Sequence, residues 1–382
     1  MHPRALLVCA IAALALALAP ASSLAATAPP LSASFGAVCP TYGDMRICSG
    51  EVPSFDGMKL DVDLTLPSSG TGTSHPLILM FHGFGNDKRE WESTTDEGDG
   101  GDKYHWNTHW FAEHGYYVLT YTARGFRTDP PSRPDQPNTP GTDSIDAPSG
   151  TIHLKSKEFE IRDSQWLAAL VARDHPDVNP NEIAVTGGSY GGGESWLQAS
   201  QPTWTFPRDT DPSLPVLQLQ VAIPKYGWTD LAYSLAPNGH GPDLYASSEG
   251  AAGVPVGRPF GVAKASWITG FSVSGQQNGV FEAGTTTTPS MEGPISIPAW
   301  LDRVMGQGEP YDVAGVEDPL MTQVRRGLTE FRGSYYQDWA HQVGRREVAI
   351  FAMQGWTDDL FEAIESFREF KQLKALDPKW PV

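Results

Sequence analysis

Basic residues are in short supply in this chain: 27 Lys and Arg stand against 45 Asp and Glu in 382 residues, a formal charge of −18 with histidine neutral. That balance disfavours a broad phosphate-binding surface and adhesion to anionic lipid, since both would meet like charge. No nucleic-acid partner is expected. Cysteine is scarcer still, with 3 in all. No second Cys/His pair lies at finger spacing, so no metal or other cofactor is expected. The chain also lacks a repeat of roughly 20 to 50 residues, a coiled-coil heptad and an apolar run of the roughly 20 residues that a membrane helix needs. What it does have, 40% hydrophobic residues, supports a sizeable core and excludes global disorder.

The N-terminus has the layout of a secretory signal peptide. Arg4 precedes an apolar run from Ala5 to Ala19, and Pro20 and small residues lead to Ala25-Ala26. Residues 1–26 are therefore expected to be removed on export, taking Cys9 with them and leaving a secreted, extracellular protein with no membrane contact. The remaining Cys39 and Cys48 bracket a short turn-rich segment with Pro40 and Gly43, and in an oxidising compartment they are expected to pair.

Further along, Ser49 to Pro67 predicts an antiparallel hairpin, with Asp56-Gly57 as the turn and Leu60, Val62, Leu64 and Leu66 alternating with polar residues. The apolar run PLILMF, ending at His82-Gly83-Phe84-Gly85, reads as a strand buried on both faces. A helix is predicted from Trp106 to His114, a strand at YYVLTY (116–121), and a helix over 157–173 with Phe159, Trp166, Leu167, Leu170 and Val171 on one face. Strands follow at IAVT (183–186), LQLQVAI (217–223) and EVAIFAM (347–353). The rhythm predicts a mostly parallel α/β sheet with an antiparallel N-terminal edge. A Pro- and Asp-rich loop from Asp129 to Gly150 and a Gly-, Ser- and Thr-rich stretch interrupt it. The expected division is the first part of the α/β core over 27–236, an inserted cap over 237–343 with possible helices at 299–305 and 322–336, and the rest of the core over 344–382.

Chemistry concentrates at Thr186-Gly187-Gly188-Ser189-Tyr190-Gly191-Gly192-Gly193, which contains G-x-S-x-G between a predicted strand and a predicted helix. In that context the motif reads as a nucleophile elbow, in which a strained serine needs residues without a Cβ two places before and after it. Ser189 is the candidate nucleophile. Tyr190 and Phe84 are the candidate oxyanion-hole residues, each through its backbone N–H. His82 reads as structural. The candidate acid is Asp358, after the strand EVAIFAM, with a capping role as the alternative; Asp230, in the same Gly-Trp-Thr-Asp setting, is the second choice. No histidine follows Asp358, and the chain stops at Lys379-Trp380-Pro381-Val382, where a further strand and a histidine loop are expected. The sequence therefore reads as truncated at its C-terminus with the catalytic histidine unassigned, His240 and His341 being the substitutes.

On the elbow GGSYGG, the Arg124-Gly125-Phe126 turn and GWTDDLF (355–361), the chain resembles the α/β-hydrolase family of Xaa-Pro dipeptidyl-peptidases and bacterial cocaine esterase, the CocE/NonD-like hydrolases. The resemblance implies an α/β-hydrolase fold, Ser189 as nucleophile and Asp358 as acid. It also implies serine-hydrolase action on a small peptide or ester, with an Xaa-Pro dipeptidyl-peptidase slightly ahead of an acyl esterase. The family's oxyanion tyrosine and C-terminal jelly-roll domain have no counterpart here. A non-catalytic binding protein on the same scaffold is the reading from another class, and oligomeric state is left open. Elsewhere, His105 and His109 share a helical face without the glutamate of a zinc motif, the acidic run 96–102 reads as a solvated loop, and Trp106 and Trp110 read as core.

Overall fold

A computed structural model describes residues 27–36, 39–42, 44–68, 73–93, 106–128, 149–237, 260–313, 316–334 and 346–382. The signal-like segment 1–26, the acidic run 96–102, His105, His240 and His341 lie outside the described residues, as does nearly all of the loop after Asp129. Among the described residues no helix is long and apolar enough to cross a membrane.

Seven strands carry the architecture: β1 (Met45–Pro53), β2 (Lys59–Thr65), β3 (His75–Phe81), β4 (Tyr117–Tyr121), β5 (Val178–Gly188), β6 (Leu217–Lys225) and β7 (Ala349–Ile350). They lie in the order β1-β2-β4-β3-β5-β6-β7, and the two-residue strands Thr41–Tyr42 and Thr203–Trp204 add to β1 and β6. β1, β2 and β4 pair antiparallel, and from β4 to β7 every pairing is parallel. The expected hairpin is β1–β2, closed by Ser54 N–H donating to Met58 O at 2.7 Å, with Gly57 at φ 84°. Positive φ there is why the turn carries glycine. Cys39 and Cys48 are disulfide-bonded beside this edge, with Cα atoms 4.4 Å apart.

β3 fills the middle of the sheet, and its residues from Leu77 to Phe81 are all buried, as a strand covered on both faces requires. β2 is buried on both faces too, which its alternating pattern does not suggest. Leu60, Val62 and Leu64 enter the main core, while Asp61 and Asp63 on the other face bind the buried Lys88, whose Nζ donates to each carboxylate at 2.6 Å and to Ser49 Oγ at 2.8 Å. A buried ammonium is tolerated because its three protons are all accepted.

Helix α1 (Glu160–Asp174) buries the predicted face with Trp166, Leu167, Leu170 and Val171. Helix α2 (Tyr190–Ala199) starts directly after Ser189 and is buried along its whole length. The helix predicted at Trp106 to His114 forms over Thr108–Glu113. Trp106 and Trp110 are not core, being 44% and 40% exposed; Trp110 stacks on His114 and Trp106 covers the Lys225 ammonium. Aromatic character alone did not separate a core indole from one that shields a cation. The predicted strand EVAIFAM shrinks to Ala349–Ile350 plus a bridge from Met353 to Lys225, and Phe351 is 61% exposed.

In the stretch read as a cap, the structure has α3 (Ala265–Asn278), α4 (Ile297–Leu301) continued by a π-turn over Asp302–Gln307, and α5 (Pro319–Thr329). α3 is a helix in a stretch where no helix is legible in the sequence. It carries no charged residue and three serines, so neither ion pairs nor a strong polar/apolar period marks it.

Candidate active site

Ser189 sits at the C-terminal end of β5, in the middle of the sheet, at the point where the chain turns into α2. Its φ is 53° and ψ −111°, a conformation an L-residue holds only when its surroundings impose it. Two interactions impose it here: Ser189 N–H donates to Lys225 O at 3.0 Å, and Gly193 N–H donates to Ser189 O at 3.0 Å. The flanking glycines are required by space. A Cβ on Gly187 would lie 2.7 Å from Phe81 O, and one on Gly191 would lie 2.3 Å from the same oxygen. The sequence expectation for these two positions is met. β3 runs so close to the elbow that no side chain fits between them.

The loop after β3 comes alongside. Phe84 packs edge-on against Tyr190, ring centroids 5.3 Å apart, so the side chains of the two candidate oxyanion-hole residues are in contact. Tyr190 is the first residue of α2, where backbone N–H groups have no acceptor within the helix and the dipole favours negative charge.

His82 fixes this loop. Its Nδ1–H donates to Gly83 O at 2.7 Å, and its Nε2 accepts from Ala123 N–H at 2.9 Å, which ties the loop after β3 to the loop after β4. Burial, reinforced by the Lys155 charge, pulls its pKa from 6.5 to about 4, so it is a neutral structural ring. Unfolding frees it to protonate near 6.5. The stabilisation from keeping it neutral is therefore complete above pH 6.5 and is lost as pH falls to 4, worth up to about 3 kcal/mol. Burial raises the carboxyl groups of Glu160 and Glu194, which act with the opposite sign, so a comparison isolates the ring. In urea titrations from pH 7 to 4, the wild type should lose about 3 kcal/mol more than His82→Gln; parallel slopes would contradict the assignment.

Beneath the elbow lies a buried ionic cluster. Leu154 and Lys155 both have positive φ, 59° and 58°, which turns Leu154 into the pocket and Lys155 into the core. Lys155 Nζ is 2.5 Å from Glu194 Oε2 and 4.5 Å from the centre of the Tyr190 ring, and Lys155 N–H donates to Tyr190 Oη at 3.2 Å. Arg124, from the Arg-Gly-Phe turn, makes a two-pronged contact with Asp163 at 2.5 and 2.7 Å and reaches Asp56 at 2.9 Å, joining the first hairpin to α1. Neither the Lys155 nor the Lys88 cluster was recognised from the sequence, where each lysine looks like any surface cation.

Ser189 opens into a pocket of about 1020 Å³, counted with its open mouth. Its walls include Trp228, Phe271, Phe281, Trp300 and Phe361, and no charged side chain among the described residues lines it. The polar atoms of its aromatic walls point elsewhere: Trp228 Nε1–H donates to Arg332 O at 2.6 Å, Trp300 Nε1–H to Gln323 Oε1 at 2.9 Å, and Tyr190 Oη accepts from Lys155.

Asp358 follows β7 in the turn that leads to Phe361, and Phe361 lines the same pocket as Ser189. Its Oδ1 accepts from Leu360 N–H at 2.9 Å and Phe361 N–H at 2.8 Å, so one oxygen is used to cap the turn. Asp230 is fully buried, caps the short helix Leu231–Leu235 through Tyr233 N–H, and faces Arg368 at 3.8 Å. The described histidines are engaged away from the elbow: His75 with Gly115 O, His109 with Asp44 and Glu92 O, His114 with Trp110 O, and His153 with Glu282. His175 packs on the Tyr117 ring, and among the described residues no imidazole hydrogen-bonds Ser189. The described residues contain no group of three or more His, Cys, Asp or Glu placed to hold a metal ion.

The strand order, with its antiparallel edge and a strained serine after the fifth strand, is the α/β-hydrolase fold. No protein-family model matches the chain, and neither does any curated protein. Among solved structures, an acetyl xylan esterase from Paenibacillus sp. R4 aligns with TM-score 0.45 and 14% identity over 88% of this chain and 77% of its own. An acylaminoacyl peptidase from Pyrococcus horikoshii aligns with TM-score 0.43 and 14% identity over 87% of this chain and 35% of its own. A CocE/NonD family hydrolase from Staphylococcus aureus aligns with TM-score 0.43 and 15% identity over 86% of this chain and 44% of its own. The chain thus spans about a third of the length of the acylaminoacyl peptidase and under half that of the CocE/NonD hydrolase.

Proposed function

We propose that the protein is an exported serine hydrolase that works through an acyl-enzyme on an ester or peptide carbonyl. The observation that carries this reading is the conformation of Ser189, held at φ 53° between two glycines at the edge of a pocket. Strain of this kind persists where the surrounding structure over-determines it, and it presents the hydroxyl above the sheet. In the proposed reaction Ser189 Oγ bonds to the carbonyl carbon while its proton passes to a base. The carbonyl oxygen becomes an oxyanion that the N–H groups of Tyr190 and Phe84 receive. Collapse breaks the bond to the leaving group, which takes up the proton, and water then repeats the two steps to release the acid and restore Ser189.

The base in this scheme is an imidazole oriented by Asp358, whose turn adjoins the pocket through Phe361. His240 and His341 are the chain's candidates. Export through residues 1–26 belongs to the same proposal, supported by the Cys39–Cys48 bond, which is kept in oxidising compartments. An Xaa-Pro dipeptidyl-peptidase and an acyl esterase are the two activities the resemblance offers. A binding protein on this scaffold is the rival reading, favoured by the lack of a described imidazole at Ser189.

Asp358→Asn tests the assignment of the acid. Hydrolysis of p-nitrophenyl butyrate should fall by about 10³- to 10⁴-fold in kcat with KM little changed, as when a triad acid loses its charge. Asp230→Asn should instead lower stability and leave kcat within about threefold. A kcat loss below tenfold in Asp358→Asn would reduce that residue to its capping role.

A further inference from the structure

The pocket itself points to a substrate class, on the reading that Ser189 is the nucleophile. We infer that the site takes an uncharged ester whose acyl part is a long aliphatic chain, of octanoyl size or larger, and that it is not built for a peptide with a free amine.

The first ground is charge. An α-ammonium in a closed site needs a carboxylate partner, because a bare buried charge costs far more than a pocket returns. Among the described residues no Asp or Glu side chain lines this pocket, although the chain has 45 of them. The nearby carboxylates are spoken for: Glu194 by Lys155, Asp230 by its cap and Arg368, and Asp358 in part by its turn.

The second ground is how the polar atoms are arranged. Two indoles and a phenol line the wall, and in each case the polar end bonds to protein behind the wall. Only their apolar faces meet the cavity. Among the described residues, the polar side chains on the lining besides Ser189 are Ser272 and Gln276, one turn apart on α3, and Gln276 Nε2–H donates to Ser272 Oγ at 3.2 Å. An aliphatic chain can fill such a surface without stranding a polar group, whereas a peptide would leave its amides unpaired.

The third ground is the breadth of the apolar lining, which takes in Phe84, Leu154, Trp228, Phe271, Trp300 and Leu328. An acetyl group would cover only a small part of it. Trp300, Val304 and Leu328 of this lining come from the stretch read as a cap, so that stretch helps to bound the acyl chain.

The test separates the pocket from the nucleophile. Binding of butan-2-one, hexan-2-one and octan-2-one to the whole protein, followed by calorimetry, needs no chemistry at Ser189. Affinity should rise about fourfold per methylene, on the order of 10² from butanone to octanone. Ile268→Asp, on the pocket face of α3, should weaken octanone at least tenfold. Equal affinities along the series, or displacement of octanone by alanyl-proline at lower concentration, would overturn the inference. Labelling by an ethyl fluorophosphonate reports separately on Ser189. No label together with a rising ketone series removes the nucleophile reading and leaves an apolar binding site; a label together with a flat series does the reverse.

Discussion

Replacing Ser189 by alanine is expected to lower hydrolysis of an octanoyl ester by on the order of 10⁵- to 10⁶-fold, the loss seen when a triad nucleophile is removed. The same change should leave the local backbone strain in place. Ser189 holds positive φ because β3, β6 and α2 close on it from three sides, with Phe81 O and Lys225 O as the fixed points. Alanine feels the same backbone restriction, so the fold should persist and its stability should stay within about 1 kcal/mol of the wild type. Steady-state assays beside urea denaturation check both halves. Hydrolysis retained at a tenth of wild type or more would mean that another group attacks the substrate.

The largest stability effect belongs to Lys155. Its ammonium and the Glu194 carboxylate are fully buried 2.5 Å apart, with Tyr121 Oη also donating to Glu194 at 3.1 Å. Lys155→Met leaves that carboxylate without its counter-charge and should cost about 3–5 kcal/mol. It also frees the Tyr190 ring, which the ammonium faces, so a loss of activity in the surviving folded fraction should accompany it. Lys155→Met combined with Glu194→Leu should regain most of the stability, because an apolar pair of similar volume removes both charges. If the single variant lies within 1 kcal/mol of wild type, the pair is not what holds the elbow in place.

Much of the framework can be read locally. The hairpin, β3, β5 and the elbow each announce themselves through turn residues or apolar runs within about a dozen positions. The glycines at 187 and 191 follow from the geometry of a strained serine, and the structure gives the steric reason in the approach of Phe81. Features that depend on distant partners are not legible in this way. Lys88 reaches back to Asp61 and Asp63 on β2, and Lys155 reaches forward to Glu194 on α2. Each side chain is ordinary in its own window. α3 escapes for another reason: a helix that lays an uncharged face over an apolar pocket needs no ion pairs, so the usual polar signature is missing. Asp358 caps its turn with Oδ1, and the proposed orientation of an imidazole would fall to its other oxygen, so the two readings do not exclude each other.

Mass spectrometry after exposure to a fluorophosphonate tests the central claim most directly. A single adduct on the peptide that contains Ser189, absent from Ser189→Ala, is the predicted result. No adduct on that peptide, or labelling that survives the alanine substitution, would contradict it.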